Sequence, residues 1–252
     1  MIDNAFLKPT ASPLDIHTFR IPYVGTGSAP TYLLLHGIGL SHREFTGLAG
    51  ILSCTGQVLS FDLPGFGSTR KPDRPLTVED YATVIAEKLV SRAVGPVIAV
   101  GHSMGAQFAV ELARQFPNLV SQVVLIGPVV DADRRTLTAQ GWGLLRDGPR
   151  ERPATQLMVM HNYLRCGVPW FLTAAQAMRD YPTHVRIKDL THPLLVIRGE
   201  RDPIAKSKWC NWLRQQVPGG GLVTVPKHRH NVAHSDAAAT AAAILAFEAT
   251  VH

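Results

Sequence analysis

An α/β fold, with a mostly parallel central sheet flanked by helices, is predicted by two features of this sequence. Short continuous apolar runs, of the kind buried on both faces of a parallel sheet, alternate with segments of helical character. One such run, Val97-Ile98-Ala99-Val100, ends in Gly101-His102-Ser103-Met104-Gly105 and passes at once into a helix-like segment. Strand, sharp turn and helix in that order lift a serine hydroxyl out of the sheet. The glycines are needed sterically, because a tight turn with strained backbone angles tolerates no Cβ close to the following helix. Amides at the start of that helix have no partner within it and can face a developing negative charge. Ser103 is therefore the candidate nucleophile. An ordinary turn can carry the same five residues, but the apolar run before them and the helical stretch Gln107 to Arg114, closing at Pro117, supply the context that catalysis needs.

Taken in order, the chain opens with Leu14 to Ile21, whose apolar and polar residues alternate as in a half-exposed edge strand. After a turn over Gly25 to Pro30, the run Tyr32-Leu33-Leu34-Leu35 reads as a buried strand ending in His36-Gly37-Ile38-Gly39, and loops at strand carboxyl ends are where such sheets bind ligands. A helix from about Arg43 to Leu52 leads to the strand Val58-Leu59-Ser60-Phe61 and the turn Asp62-Leu63-Pro64-Gly65-Phe66-Gly67. Thr77-Val78-Glu79-Asp80 resembles a capping box and opens an amphipathic helix to about Ser91. Further strands are expected over Val120 to Ile126, Leu194 to Ile197 and Leu222 to Val225, with an alanine-rich helix from Ala237 to Val251 closing the chain.

Between residues 131 and 191 this alternation stops, and the segment carries Trp142, Trp170, Phe171, Met178 and Tyr181 among other large apolar residues. It is expected to be a helical cap inserted into a core made of residues 1–130 and 192–252. Its large side chains either pack the cap onto the core or line an acyl pocket.

The 252 residues suffice for one large core, and 46% hydrophobic with 17% charged residues describes a globular chain rather than a disordered one. No apolar span reaches membrane length, and Asp3, Asn4, Lys8, Pro9 and Pro13 break up the first residues, so no membrane partner and a cytoplasmic location are expected. Cys54, Cys166 and Cys210 are odd in number and widely spaced, which excludes a disulfide framework or thiolate metal site and makes them packing residues. The 25 lysines and arginines exceed 19 acids, giving +6, but they are scattered, so no nucleic-acid partner is expected.

A nucleophilic serine needs a base, and the base an orienting acid. Asp202 follows the Leu194 to Ile197 strand, and His230 follows the last strand in Val225-Pro226-Lys227-His228-Arg229-His230-Asn231. The chain order Ser, Asp, His is that of an α/β-hydrolase. Five stretches, His36 to Gly39, Asp62 to Gly67, Gly101 to Gly105, Gly199-Glu200-Arg201-Asp202 and Pro226 to His230, resemble the α/β-hydrolase superfamily of capped serine esterases, C–C hydrolases and cofactor-free perhydrolases, from about residue 14 onward.

This resemblance implies an α/β-hydrolase fold with Ser103 as nucleophile, Asp202 as acid, His230 as general base, the amides of Ile38 and Met104 as the oxyanion hole, and a structural role for the Asp62 loop. It implies no metal and no organic cofactor. Serine at the elbow separates the chain from relatives that use aspartate there. The chain departs from the pattern at Ala106, where many relatives have glycine, and at Lys227-His228-Arg229, where a glycine-containing turn is common. Asp131, after the preceding strand, is a rival acid, and His228, His230 and His234 form a His-x-His-x₃-His pattern that can bind a metal, without acidic or cysteine partners. His36 and His102 are expected to support loops. The function expected is hydrolysis of a carboxylic ester or thioester through an acyl-enzyme, with C–C bond hydrolysis of a diketone-like substrate or a non-catalytic ligand-binding protein as the alternatives.

From Asp131 to Thr191 nine basic residues face six acids, an excess of +3. Arginines beside an apolar pocket can hold a carboxylate or phosphate of the substrate, whereas a solvated cap surface would leave them idle. If they hold substrate, an ester with a remote anionic group has a lower KM than its neutral isostere at low salt, the advantage shrinks in salt, and replacing Arg134 and Arg135 with methionine removes it. Equal KM values for the two esters assign the excess to the solvated surface.

Overall fold

The computed structural model describes residues 15–130 and 153–251. Seven strands, β1 (His17–Ile21), β2 (Thr31–Leu35), β3 (Gln57–Asp62), β4 (Val97–His102), β5 (Val120–Ile126), β6 (Leu194–Gly199) and β7 (Gly221–Val225), form one sheet in the order β1-β3-β2-β4-β5-β6-β7. Only β1 runs antiparallel to its neighbour, pairing His17 with Asp62 and Ile21 with Val58. The other pairings are parallel, and they set β4 at the centre between β2 and β5.

The continuous apolar runs end up where their composition requires. Strands β4 and β6 are buried along their whole length, while β1, with alternating character, lies half-exposed at the edge. Alternate residues feed two apolar layers, one on each face. Leu33, Leu35, Leu59, Phe61 and Ala99 meet α2 (Val78–Ser91) and α3 (Met104–Gln115) through Tyr81, Ile85, Phe108 and Leu112. Tyr32, Leu34, Val58, Ile98 and Val100 meet α1 (Thr46–Leu52) through Leu48 and Leu52, and the closing helix through Ala241 and Ile244. Each fully buried Leu or Phe contributes roughly 1.5–3 kcal/mol of transfer free energy, which makes this double layer the main source of stability.

The capping box at Thr77 forms: its hydroxyl accepts from the Asp80 amide at 3.2 Å, and the Asp80 carboxylate accepts from the Thr77 amide at 2.9 Å. The helix expected from Arg43 begins instead as a 3₁₀ turn, His42–Phe45, and turns α-helical at Thr46. Loops engage that first turn, because the His42 amide donates to Asp62 at 2.8 Å and the Glu44 carboxylate accepts from the Gly37 amide at 3.0 Å. Cys166 and Cys210 are buried as expected of packing residues, but Cys54 is exposed at the end of α1, where the chain turns toward β3.

Within the expected cap, residues 153–191 form α4 (Pro153–Cys166), α5 (Val168–Asp180), α6 (Thr183–Arg186) and a 3₁₀ turn, Ile187–Asp189. Residues 131–152, with Asp131, Arg134, Arg135, Trp142, Leu144 and Leu145, lie outside the described residues, as does Leu14. These helices are tied to the elements around the sheet by polar contacts: Ser41 donates to Asn162 at 2.6 Å, Gln107 donates to the Met178 carbonyl at 2.9 Å, and Tyr181 donates to buried Glu111 at 2.8 Å. Met178 and Tyr181 are buried, whereas Leu157 and Leu164 on α4 are 72% and 76% exposed. Among the described residues no helix is long and apolar enough to cross a membrane.

The closing helix is α9 (Ala237–Val251), preceded by α7 (Ser207–Gln215) after β6 and the short α8 (Val232–Ser235) after β7. The Asp62 turn is held by its own carboxylate, which accepts from the His42 ring at 2.9 Å and the Ser68 amide at 2.8 Å. Burial alone would raise this carboxyl, but the His42 ring and amide and the Ser68 amide outweigh it and bring its pKa to about 2. A folded value below the unfolded one stabilises the protein above the ordinary Asp range, and the gain is lost as pH falls toward 2. Replacing Asp62 with Asn is expected to cost on the order of 2 kcal/mol in urea unfolding at pH 7, a difference that narrows once pH drops below about 4. A difference that stays constant from pH 7 to pH 3 would contradict this assignment.

Candidate active site

Ser103 caps the amino end of α3 with φ 55° and ψ −117°, a backbone that β-branched or bulky residues rarely adopt. Two glycines make room for it. A Cβ on Gly105 would stand 2.0 Å from the Leu35 carbonyl oxygen of β2, and one on Gly101 would stand 2.1 Å from the Gly105 carbonyl oxygen. The Ser103 amide extends the pairing of β4 with β5 by donating to the Ile126 carbonyl at 2.9 Å. Its side chain is thereby turned away from the sheet, toward the loop that follows β7.

That loop brings His230, whose Nε2 lies 3.0 Å from Ser103 Oγ, and the loop after β6 brings Asp202, whose Oδ2 lies 2.9 Å from His230 Nδ1. All three are buried, at 5%, 3% and 4% exposure. The other Asp202 oxygen accepts from the amides of Ile204 and Ala205 at 2.8 and 2.9 Å. Burial opposes ionisation of Asp202, but the charge and hydrogen bond of His230, with the two amides, hold its pKa below the usual value. An ionised Asp202 accepts a hydrogen bond from Nδ1–H and leaves the Nε2 lone pair facing the serine hydroxyl.

The loops after β6 and β7 are braced against each other. Arg201 donates from its amide to the His228 carbonyl at 2.9 Å, and the Lys227 amide donates to Glu200 at 2.8 Å. Lys227 occupies the left-handed region, φ 63°, in the stretch where a glycine-containing turn is common among relatives, so the departure in sequence adds local strain. His36 supports its loop as expected, donating from Nδ1 to the Gly37 carbonyl and accepting from the Leu63 amide on Nε2; burial lowers its pKa, consistent with a neutral ring.

The three histidines of the His-x-His-x₃-His pattern turn to three different partners. His230 faces Ser103 and Asp202, His228 meets Ser235 at 2.9 Å and Asp236 at 3.2 Å, and His234 meets Thr155 of α4 at 2.9 Å. Among the described residues no three His, Cys, Asp or Glu side chains converge as metal ligands. The rival acid Asp131 lies outside the described residues.

Two neighbours of the site escaped the sequence reading. Gly127 follows β5 with φ 53°, and a Cβ there would stand 3.2 Å from the His230 ring; its only sign is a glycine at a strand's carboxyl end. Glu44 is fully buried beside His102. Its sign is an acid at the start of the i, i+4, i+8 stripe completed by Leu48 and Leu52.

The fold and this serine at a strained strand-to-helix turn define the class as an α/β hydrolase. The chain belongs to the alpha/beta hydrolase family, whose model matches residues 32–243. It is 36% identical to a pimeloyl-[acyl-carrier protein] methyl ester esterase of Aromatoleum aromaticum over 77% of this chain and 88% of that protein. An uncharacterized protein of Mycobacterium tuberculosis is 34% identical over 47% of this chain, and the match spans only 35% of that relative's length. Among solved structures, a thermophilic esterase from Thermogutta terrifontis superposes with a TM-score of 0.81 at 21% identity, covering 96% of this chain and 97% of that one, a likeness of fold. The relatives include esterases and hydrolases.

The Asp202 to His230 contact has a spectroscopic consequence. A proton held between Nδ1 and a buried carboxylate gives a far-downfield ¹H resonance, and the one correlated with the His230 ring is expected to be abolished by Asp202→Asn without unfolding the protein. A His230 Nδ1 resonance unchanged in Asp202→Asn would remove Asp202 as the partner of His230.

Proposed function

We propose that this chain hydrolyses a carboxylic ester or thioester of a small-molecule substrate through an acyl-enzyme on Ser103. The observation that carries the reading is the unbroken sequence of contacts from Ser103 Oγ through the His230 ring to Asp202, 3.0 and 2.9 Å long. In this reading His230 takes the hydroxyl proton as the oxygen attacks the carbonyl carbon. It then returns the proton to the leaving alcohol or thiol. A water, deprotonated by the same ring, attacks the acyl carbon and regenerates Ser103. Asp202 keeps the imidazole in its working tautomer and favours the imidazolium that forms.

The amides of Ile38 and Met104 are the proposed oxyanion donors. Met104 is the first residue of α3, where an amide has no helical carbonyl to reach. Around Ile38 the Gly37 amide is taken by Glu44 and the Leu40 amide by the Gly37 carbonyl, while the Ile38 amide has no partner among the described residues. Residues 131–191 are the proposed cap: Tyr163 and Phe171 press on Gly39 and Trp170 on Gly65, which sets cap aromatics over the loops beside the site.

A fluorophosphonate probe and a p-nitrophenyl ester assay test this together. Wild type should label and turn over, with kcat/KM rising with pH as an imidazole loses its proton. Ser103→Ala should fold normally and lose both signals. His230→Ala should lose turnover along with the acid limb, and Asp202→Asn should cost on the order of 10⁴ in kcat. Wild-type-like turnover in Ser103→Ala would remove the serine from the reaction.

A further inference from the structure

Beside the Ser103 site lies a second buried histidine and carboxylate that the proposed reaction does not use. Glu44 and His102 are 0% and 1% exposed, and Glu44 Oε1 contacts His102 Nδ1. The remaining polar atoms of both side chains reach backbone of two other loops. Glu44 Oε2 accepts from the Gly37 amide at 3.0 Å, next to Ile38, and His102 Nε2 lies 3.0 Å from the carbonyl oxygen of His230. The rings of His102 and His230 are tilted with centroids 4.9 Å apart. Gly37 closes the group, since a Cβ there would stand 3.2 Å from both His102 Nδ1 and Ser103 Cβ.

Counting protons fixes the character of this pair. A carbonyl cannot donate, so His102 Nε2 carries a proton and donates a hydrogen bond to the His230 carbonyl oxygen. Glu44 Oε2 accepts from an amide and carries none. Burial would raise the Glu44 carboxyl, but His102 and the Gly37 amide hold it below its usual value. Taking a carboxylate out of water costs several kcal/mol, and apolar residues of the same volume commonly stabilise a core as well or better. Stability alone therefore does not account for this pair, whereas its outer contacts do.

We infer that Glu44 and His102 are positioning residues, one buried pair that spans from the Gly37-Ile38 loop to the His230 loop and holds both in register around Ser103. The inference rests on the Ser103 reading above. The pair touches neither the scissile bond nor the attacking oxygen; it acts through the Ile38 amide on one side and the His230 backbone on the other. Glutamine at 44 retains an oxygen for the Gly37 amide and an N–H for His102 Nδ1, so it preserves the span without the charge, and alanine removes it.

The test is p-nitrophenyl ester kinetics on wild type, Glu44→Ala, Glu44→Gln and Ser103→Ala, with inhibition by phenylboronic acid, which adds to the serine as a tetrahedral mimic. Glu44→Ala should lose about 100-fold in kcat with KM little changed, the scale of a misplacement near 1 Å. Its phenylboronic acid Ki should rise with the loss, and Glu44→Gln should recover most of the rate. Should Glu44→Ala fail to fold, His102→Phe in the Glu44→Gln background takes its place, read against Glu44→Gln alone. A wild-type kcat in the folded alanine or phenylalanine variant, an unchanged boronate Ki, or a glutamine variant no better than alanine would each overturn the inference. Turnover that survives in Ser103→Ala instead overturns the serine reading, so the two failures are distinct.

Discussion

Ser103 holds a left-handed backbone that costs a non-glycine residue roughly 1–3 kcal/mol, and it persists only because its neighbours leave no alternative. A Cβ on Gly101 or on Gly105 would stand within 2.1 Å of a carbonyl oxygen, in one case that of Leu35 on β2, so only glycine lets the elbow sit this close. The amide of the same serine is committed to β5. The elbow is thus clamped by the strands on both sides of β4, and the central position of that strand follows from this need. A serine at a sheet edge would have one such clamp at most. The surrounding loops inherit their geometry from it, because each departs from the carboxyl end of a strand whose register β4 helps to set.

Around this elbow the protein arranges titratable groups in a graded way. Asp202 is buried with its charge satisfied by one ring and two amides, and Asp62 is satisfied by a ring and two amides of its own. His36 is buried without a carboxylate in hydrogen-bond contact and is best read as neutral. The same side-chain types therefore serve different ends according to what their second atoms meet. The resulting network is dense with backbone partners, so the charges stiffen loops as well as pairing with one another.

The sheet strands, the elbow, the box at Thr77 and the residues at the ends of β6 and β7 were legible because each has a local physical signature: an unbroken apolar run, a glycine pair, a reciprocal cap, a polar residue just past a strand. Glu44 and Gly127 lacked one. Their significance depends on partners 58 and 103 residues away, His102 and His230, and no local period encodes such a meeting. The helix expected from Arg43 started late for a related reason, since tertiary hydrogen bonds to Asp62 and Gly37 outcompeted the first helical turn. Lys227 shows the opposite case. A residue type disfavoured for the turn adopts the turn regardless, because contacts from Glu200 and Arg201 hold the loop.

The distance along the chain between Ser103 and His230, 127 residues, governs when the hydroxyl can acquire its proposed base. Closing so long a loop is entropically expensive and comes after the local contacts of the amino-terminal strands and helices. During synthesis the elbow emerges well before β6, β7 and the loop that carries His230, and until those strands dock against β5 the serine has no proton acceptor. If the proposed reaction holds, a nascent or partly assembled chain is chemically silent at this position. Reactivity at Ser103 would then count fully assembled molecules, and its time course during refolding would clock the docking of the last two strands.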